Sequence, residues 1–264
     1  MVTLPQSQQE GGMVMVEALS NLKDVLGQNT YPGRGLVVGI NFSTTHLVQV
    51  YFITARSANS RNRVLAAKGG KVWTEAADPT KVEDPSLIIY TAMDEVLLDG
   101  RLCLHAVSNG VQTDTMIKYA LQGNGFHCAL QDHTYEPDAP NYTPRIMADC
   151  CPLFHDKIHD KVVDIGIIRR LSTGEADRQL FRYTGSLLDP GIGICLTTYD
   201  GDGDPLPVFA GEPYRLPLIG GIREIAETYH KVLGGDNFVS LAVKFIDRKT
   251  GKSQVEIINR YAKV

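Results

Sequence analysis

Apolar residues recur along this chain with two different periods. Met15, Ala18, Leu19, Leu22, Val25 and Leu26 fall three and four apart, the spacing of one helical face, and Gly27 can end that helix. Residues 36–40 and 46–54 are instead dense runs of aliphatic, β-branched and aromatic side chains bounded by turn residues, which predicts strands. The same reasoning predicts strands at 86–92, 101–107, 162–168, 194–199 and 238–246, the last in a hairpin with 254–261. Helical spacing returns at Met116, Ile117, Tyr119, Ala120 and Leu121, with Thr113 or Asp114 as the cap. It returns again at Ile222, Ile225, Ala226, Tyr229, Val232 and Leu233, closed by Gly234 and Gly235. Residues 1–12 are polar and rich in glycine and glutamine, and are expected to form a loose tail. Many strands with few helices predict an α+β fold of sheets covered by helices. With no repeat, low-complexity run or linker, residues 1–264 are read as one domain.

Composition narrows the classes of function. Of 264 residues, 43% are hydrophobic and 21% charged, ordinary for a protein that buries a core without disulfide or metal support. The net charge of −4 argues against nucleic acid as a partner, because that affinity rests on a broad basic surface. The five cysteines are irregularly spaced and do not form a disulfide framework. No run approaches the roughly 20 apolar residues of a membrane span, and the opening segment has no basic region followed by an apolar run. A cytoplasmic protein with neither membrane nor nucleic-acid partner is therefore expected.

Four segments carry candidate chemistry. Residues 31–35 (YPGRG) precede a strand: Gly33 and Gly35 allow close backbone approach to a ligand, and Arg34 offers a planar fork of donors. Residues 54–63 hold Arg56, Arg61 and Arg63 among Ser57, Asn59, Ser60 and Asn62, the mixture of charged and short neutral donors that phosphate needs. Residues 108–114 (SNGVQTD) place Asn109, Gln112, Thr113 and Asp114 where a helix is predicted to start. Residues 135–145 (YEPDAPNYTPR) hold Glu136, Asp138, Asn141, Thr143 and Arg145 on a backbone stiffened by three prolines. There is no GxxxxGK[ST], and Gly191 with Gly193 lacks the third glycine of a dinucleotide fingerprint, so a nucleoside triphosphate or NAD is not expected.

Taken in order, these segments resemble the motifs of the archaeal-type IMP cyclohydrolases. The family has a glycine-arginine pair at the start of a strand, then YxxxSRSxxxR-like, SNGxxTD and YExDxxNTPRI-like stretches. Here they correspond to residues 33–34, 51–63, 108–114 and 135–146. The sequence departs from the pattern where Ala55, Arg56 and Ser57 replace Ser-Arg-Ser, and where Arg61 and Arg63 both match the downstream arginine. Tyr90, in DPSLIIY, matches a proline-tyrosine segment loosely, and residues 198–205 read as an added loop. The resemblance implies an Ntn-hydrolase-like αββα four-layer sandwich without a processed nucleophile, a hydrolase of purine biosynthesis that binds a nucleotide, and a homo-oligomer. It also implies neither metal nor cofactor.

The implied reaction closes 5-formamidoimidazole-4-carboxamide ribonucleotide to inosine monophosphate with loss of water. Both reacting groups sit on one ring, so the site must orient them, stabilise an oxyanion and move protons. On this reading Glu136 is the acid/base group and Tyr90 a donor to the oxyanion. Arg34, Arg56, Arg61 and Arg63 divide the phosphate and the formyl oxygen between them, with Ser57 beside the phosphate. Asn109 and Asp114 hold the ribose or the carboxamide, and Thr113, Asn141 and Arg145 complete the substrate-binding set. The alternatives are a purine-nucleotide-binding homologue without turnover and an amide hydrolase on a related fold. Two metal constellations fit poorly: Asp200, Asp202 and Asp204 lack the glycine and terminal glutamate of a calcium loop, and Cys150, Cys151, His155 and His159 lack zinc-ligand spacing.

Overall fold

The computed structural model describes residues 6–82, 85, 88–98, 102–151, 163–184 and 189–263, without the side chains of 6–10, 98, 102 and 103. The first strands are β1 (Arg34–Ile40), β2 (His46–Thr54), β3 (Arg63–Lys68), β4 (Lys71–Ala76), β5 (Thr91–Leu98) and β6 (Leu102–Ser108). They are followed by β7 (Arg145–Cys150), β8 (Val163–Arg170), β9 (Ala176–Tyr183), β10 (Ile192–Thr197), β11 (Tyr214–Pro217), β12 (Phe238–Asp247) and β13 (Ser253–Asn259). The helices are α1 (Gln6–Asn21), continued by a π-helical turn over Leu22–Leu26, α2 (Ala58–Arg61), α3 (Gln112–Leu121), α4 (Phe126–Gln131) and α5 (Ile222–Leu233).

Two antiparallel sheets result. One runs β11-β10-β1-β2-β12-β13 and the other β3-β4-β5-β6-β7-β8-β9. Strand β2 shows why its sequence reads as an unbroken apolar run. Leu47, Tyr51 and Ile53 face the second sheet, while Val48, Val50 and Phe52 face the helices, so both faces are buried. Between the sheets Leu36, Val38, Val107, Ile146 and Ile165 form one core. Outside the first sheet, Ile225, Ala226, Tyr229 and Leu233 of α5 cover Val50 and Phe52. Outside the second, Met116 of α3 and Phe126 and Leu130 of α4 cover Ala106 and Met147. At about 25 cal/mol per Å² of apolar surface, these three layers of burial are the main stabilising contribution. Among the described residues no helix is long and apolar enough to cross a membrane.

Several expectations need correction. The tail expected over 1–12 is helical from Gln6, because α1 docks on β11: Asn21 donates to the Arg215 carbonyl (3.0 Å) and Arg215 approaches Glu17 (3.5 Å). Residues 1–5 lie outside the described residues. Neither Thr113 nor Asp114 caps α3. Both lie inside its first turn, and the upstream Ser108 hydroxyl accepts the Thr113 N–H (3.0 Å) instead. The strand expected over 86–92 starts at Thr91, because the Ile88 and Ile89 N–H groups turn back onto the Pro85 carbonyl (3.1 and 2.9 Å). Residues 86 and 87, Arg101, and His155 and His159 of the zinc constellation lie outside the described residues.

Candidate active site

At one end of the space between the sheets lies a cavity of about 610 Å³, a volume typical of small-molecule sites. Its wall is assembled from four chain segments: the start of β1, the turn around α2, the loop before β7 and the loop after β10. The first is shaped by glycine. Gly33 has φ +70°, and a Cβ there would lie 2.2 Å from Thr198 Oγ1 and 2.6 Å from the Tyr199 ring. The bare backbone lets Tyr31 and Tyr199 stack (centroids 5.9 Å apart) and delivers Arg34 into the cavity wall.

Arg34 is buried and donates to the Thr54 carbonyl (3.2 Å). Burial opposes its charge, but Tyr90, Tyr31, Tyr51 and Glu136 around it outweigh that and keep the guanidinium protonated. Arg63, the first residue of β3, is fully buried behind the wall. Its Nε donates to the Ser60 carbonyl (2.8 Å), yet neither terminal nitrogen has a hydrogen-bond partner among the described residues. Burial and the neighbouring Arg34 charge lower its pKa to about 10, so it is still a cation at neutral pH. A buried cation without partners costs several kcal/mol unless an anion compensates it, by the usual desolvation estimate of roughly that size. A buried cation of this kind close to a cavity makes Arg63 a candidate for a binding or catalytic role.

Glu136 supplies the opposite charge. It is 8% exposed, and burial pushes its pKa up to about 7, against the pull of Arg34 and Arg145, with Asp138 adding to the rise and Arg63 opposing it. Arg145 Nη1 is 3.9 Å from Glu136 Oε1, and is held by Gln112 Oε1 (3.2 Å). A carboxyl titrating near neutrality can both take and give a proton. Tyr90 is buried with its hydroxyl 2.6 Å from that of Tyr51, next to the arginine pair rather than on the cavity wall.

The structure brings Arg34, Arg56, Ser57, Glu136 and Asn141 to the cavity surface. Arg56 lies over the Tyr31 ring (4.9 Å) and pairs with Asp202, so the loop expected to be an insertion forms part of the wall. Other expected site residues stand elsewhere. Arg61 turns to the far side of α2, bonded to the Ala55 carbonyl and Asn237 Oδ1 (both 2.9 Å), and lines a neighbouring cavity of about 640 Å³. Asn109 is buried and spends its amide on the Pro144 carbonyl (2.9 Å) and the Ile146 N–H (2.8 Å), clamping the backbone on both sides of Arg145. Thr113 is engaged by Ser108 Oγ (2.7 Å), and Asp114 is exposed on α3. Thr143, a candidate of the 135–145 segment, lies on the cavity wall, whereas the rings of Tyr31 and Tyr199 were not among the expected site residues. Tyr199 lies in the presumed insertion, and no local pattern distinguishes it from a packing aromatic.

Among the described residues no group of three or more His, Cys, Asp or Glu side chains is arranged to hold a metal ion. Asp200 accepts the Ala210 N–H (3.2 Å) while Asp202 holds Arg56, so the acidic turn spends these two carboxylates on the protein itself. Cys195 is fully buried and its thiol is pushed up to about 12 by burial, which makes it a packing residue rather than a nucleophile. A family model described as IMP cyclohydrolase-like protein matches residues 31–251. No curated protein matches the chain.

Proposed function

The chain belongs to the IMP cyclohydrolase-like protein family, and on that premise we propose that it closes 5-formamidoimidazole-4-carboxamide ribonucleotide to inosine monophosphate, releasing water. The observation that carries this reading is Glu136: a buried carboxyl with a pKa of about 7, in a nucleotide-sized cavity beside Arg34 and Arg145. We read the chain as one Ntn-hydrolase-like αββα domain, a reading supported by helices lying outside each of two facing sheets. It carries with it a role in purine biosynthesis, a cytoplasmic location and assembly as a homo-oligomer.

In the reaction the carboxamide nitrogen bonds to the formyl carbon, and the formyl oxygen takes up the displaced electron pair. Arg34 and Arg63 stabilise that oxyanion through a field already in place, which avoids reorganisation during the step. Glu136 moves one proton from the attacking nitrogen to the oxyanion, giving a hydroxyl. The former formamide nitrogen then gives up its proton as its electron pair forms the C=N bond. Glu136 delivers a proton to the hydroxyl, whose bond to carbon breaks as water leaves. Arg56 and Ser57 anchor the phosphate, and Asn141 holds the ribose edge. Asn109 acts at one remove, by fixing the backbone that carries Arg145. No covalent nucleophile, metal or cofactor enters these steps.

A second reading, a nucleotide-binding relative without turnover, is favoured by one observation: the Tyr90 hydroxyl is paired with Tyr51 and does not line the cavity. The test is a spectrophotometric assay of chelator-treated protein with the formylated ribonucleotide. Turnover above the uncatalysed rate supports the cyclohydrolase. Tight binding of inosine monophosphate without turnover supports the binding relative and refutes the catalytic roles.

A further inference from the structure

The loop from Glu136 to Thr143 is closed by its own hydrogen bonds, and Thr143 takes part in three of them. Its N–H donates to Asp138 Oδ1 (2.6 Å), and its carbonyl accepts the Glu136 N–H (2.9 Å). Its hydroxyl donates to Asp138 Oδ2 (2.5 Å) and accepts from the Tyr199 hydroxyl (2.8 Å). The direction is forced. A carboxylate only accepts, so the single hydroxyl proton of Thr143 points at Asp138 and its lone pair takes the Tyr199 proton. Burial pushes the Tyr199 phenol up, so it stays a neutral donor at ordinary pH. Tyr199 follows β10 of the first sheet and Thr143 precedes β7 of the second, so this bond spans the two sheets at the cavity wall.

We propose that Tyr199, Thr143 and Asp138 form a relay that positions Glu136 and holds one fixed negative charge beside it, so that Glu136 retains the proton it delivers to the departing oxygen. The inference rests on the cyclohydrolase reading. The charged groups acting on Glu136 are Arg34 from β1, Arg63 from β3, Arg145 from β7 and Asp138 from its own loop. Burial is the chief force keeping the carboxyl protonated; three guanidiniums favour the ionised form, and the charge of Asp138 acts with burial against them. Asp138 is therefore the counterweight, and its place depends on the two donors from Thr143.

The test uses the full chain as Asp138→Asn, Thr143→Val and Thr143→Ser. The pH dependence of turnover is measured, and Glu136 is titrated by carbon NMR of labelled carboxyls, its signal assigned by loss in Glu136→Gln. Calorimetric binding of inosine monophosphate checks that each variant keeps its fold. In Asp138→Asn the Glu136 titration and the matching limb of the rate profile move to lower pH. Thr143→Val loses about tenfold in kcat with KM nearly unchanged, the scale of one lost hydrogen bond, and Thr143→Ser recovers most of that loss. A Glu136 titration unmoved in Asp138→Asn, or Thr143→Val matching Thr143→Ser, overturns the relay. If the wild-type protein shows no turnover, the cyclohydrolase reading fails, while the carboxyl titration still decides whether Asp138 governs Glu136.

Discussion

Replacing Glu136 by Gln should make the protein more stable and less active, and the size of both effects follows from the site. The carboxyl has an ordinary pKa of 4.5 and one of about 7 in the folded chain, chiefly because burial penalises its charge. A raised carboxyl pKa means that between these values the folded state holds a proton which the unfolded state has released. Stability therefore falls as pH rises from 4.5 to about 7 and is level beyond. The gap is about 2.5 pH units; at about 1.4 kcal/mol per unit, ionised Glu136 costs the folded state roughly 3–4 kcal/mol at pH 8. Glutamine has nearly the same shape and no charge, so Glu136→Gln should regain up to about that amount at pH 8 and nothing below pH 4.5. For a chain of this length, that corresponds to several degrees in Tm. Turnover should fall by about 10²–10⁴ with binding of inosine monophosphate largely kept. Urea and thermal unfolding of both proteins from pH 4 to 9, alongside kcat, measures the exchange. A variant no more stable than wild type at pH 8, or a stability gap that persists in acid, would refute the buried-carboxyl argument. Unchanged turnover would remove Glu136 from the mechanism.

Arg63→Met removes a buried guanidinium whose terminal nitrogens have no hydrogen-bond partner among the described residues, so Tm should rise or hold while kcat/KM falls by about 10² or more. Because Arg63 lowers the Glu136 pKa, the Glu136 limb of the pH–rate profile should also move up in that variant, and a limb moving down would contradict the charge arrangement. Gly33→Ala forces a left-handed residue and drives a methyl toward Thr198 and Tyr199, so urea unfolding should show a loss of about 1–2 kcal/mol or more together with weaker nucleotide binding. Asp202→Asn releases Arg56 from a surface pair worth about 0–1 kcal/mol, so inosine monophosphate should bind up to about fivefold tighter while inosine, lacking phosphate, is unaffected. Calorimetry with the two ligands decides this, and equal tightening of both would show that Arg56 does not meet the phosphate.

The elements that were legible in the sequence are those whose signal is local. Helix α5 and strands β1, β2, β8, β10 and β12 appear near their expected places because each repeats one apolar period over six or more residues. Strand β9 (ADRQLFRY) was missed because it lies at the edge of the second sheet, where charged side chains replace the alternation that marks a strand. The segment 108–114 shows the same limit in the site. Its polar residues stand out in the sequence, but Asn109 and Thr113 turn inward to backbone and hydroxyl partners, and only the packed chain shows which way a side chain points.

The sequence by itself determined a fold built mainly of strands, the segments that carry polar chemistry, and a family pattern that the match over residues 31–251 bears out. Those are properties of residues close together in the chain. The tertiary structure decided which arginines share the cavity, that the terminal nitrogens of Arg63 are buried without a hydrogen-bond partner among the described residues, and that Tyr199 meets Thr143 from 56 residues away. It also decided that Glu136 titrates near neutrality rather than as an ordinary acid. These depend on how two sheets face one another, because the cost of a buried charge is set by its surroundings and not by the residue that bears it.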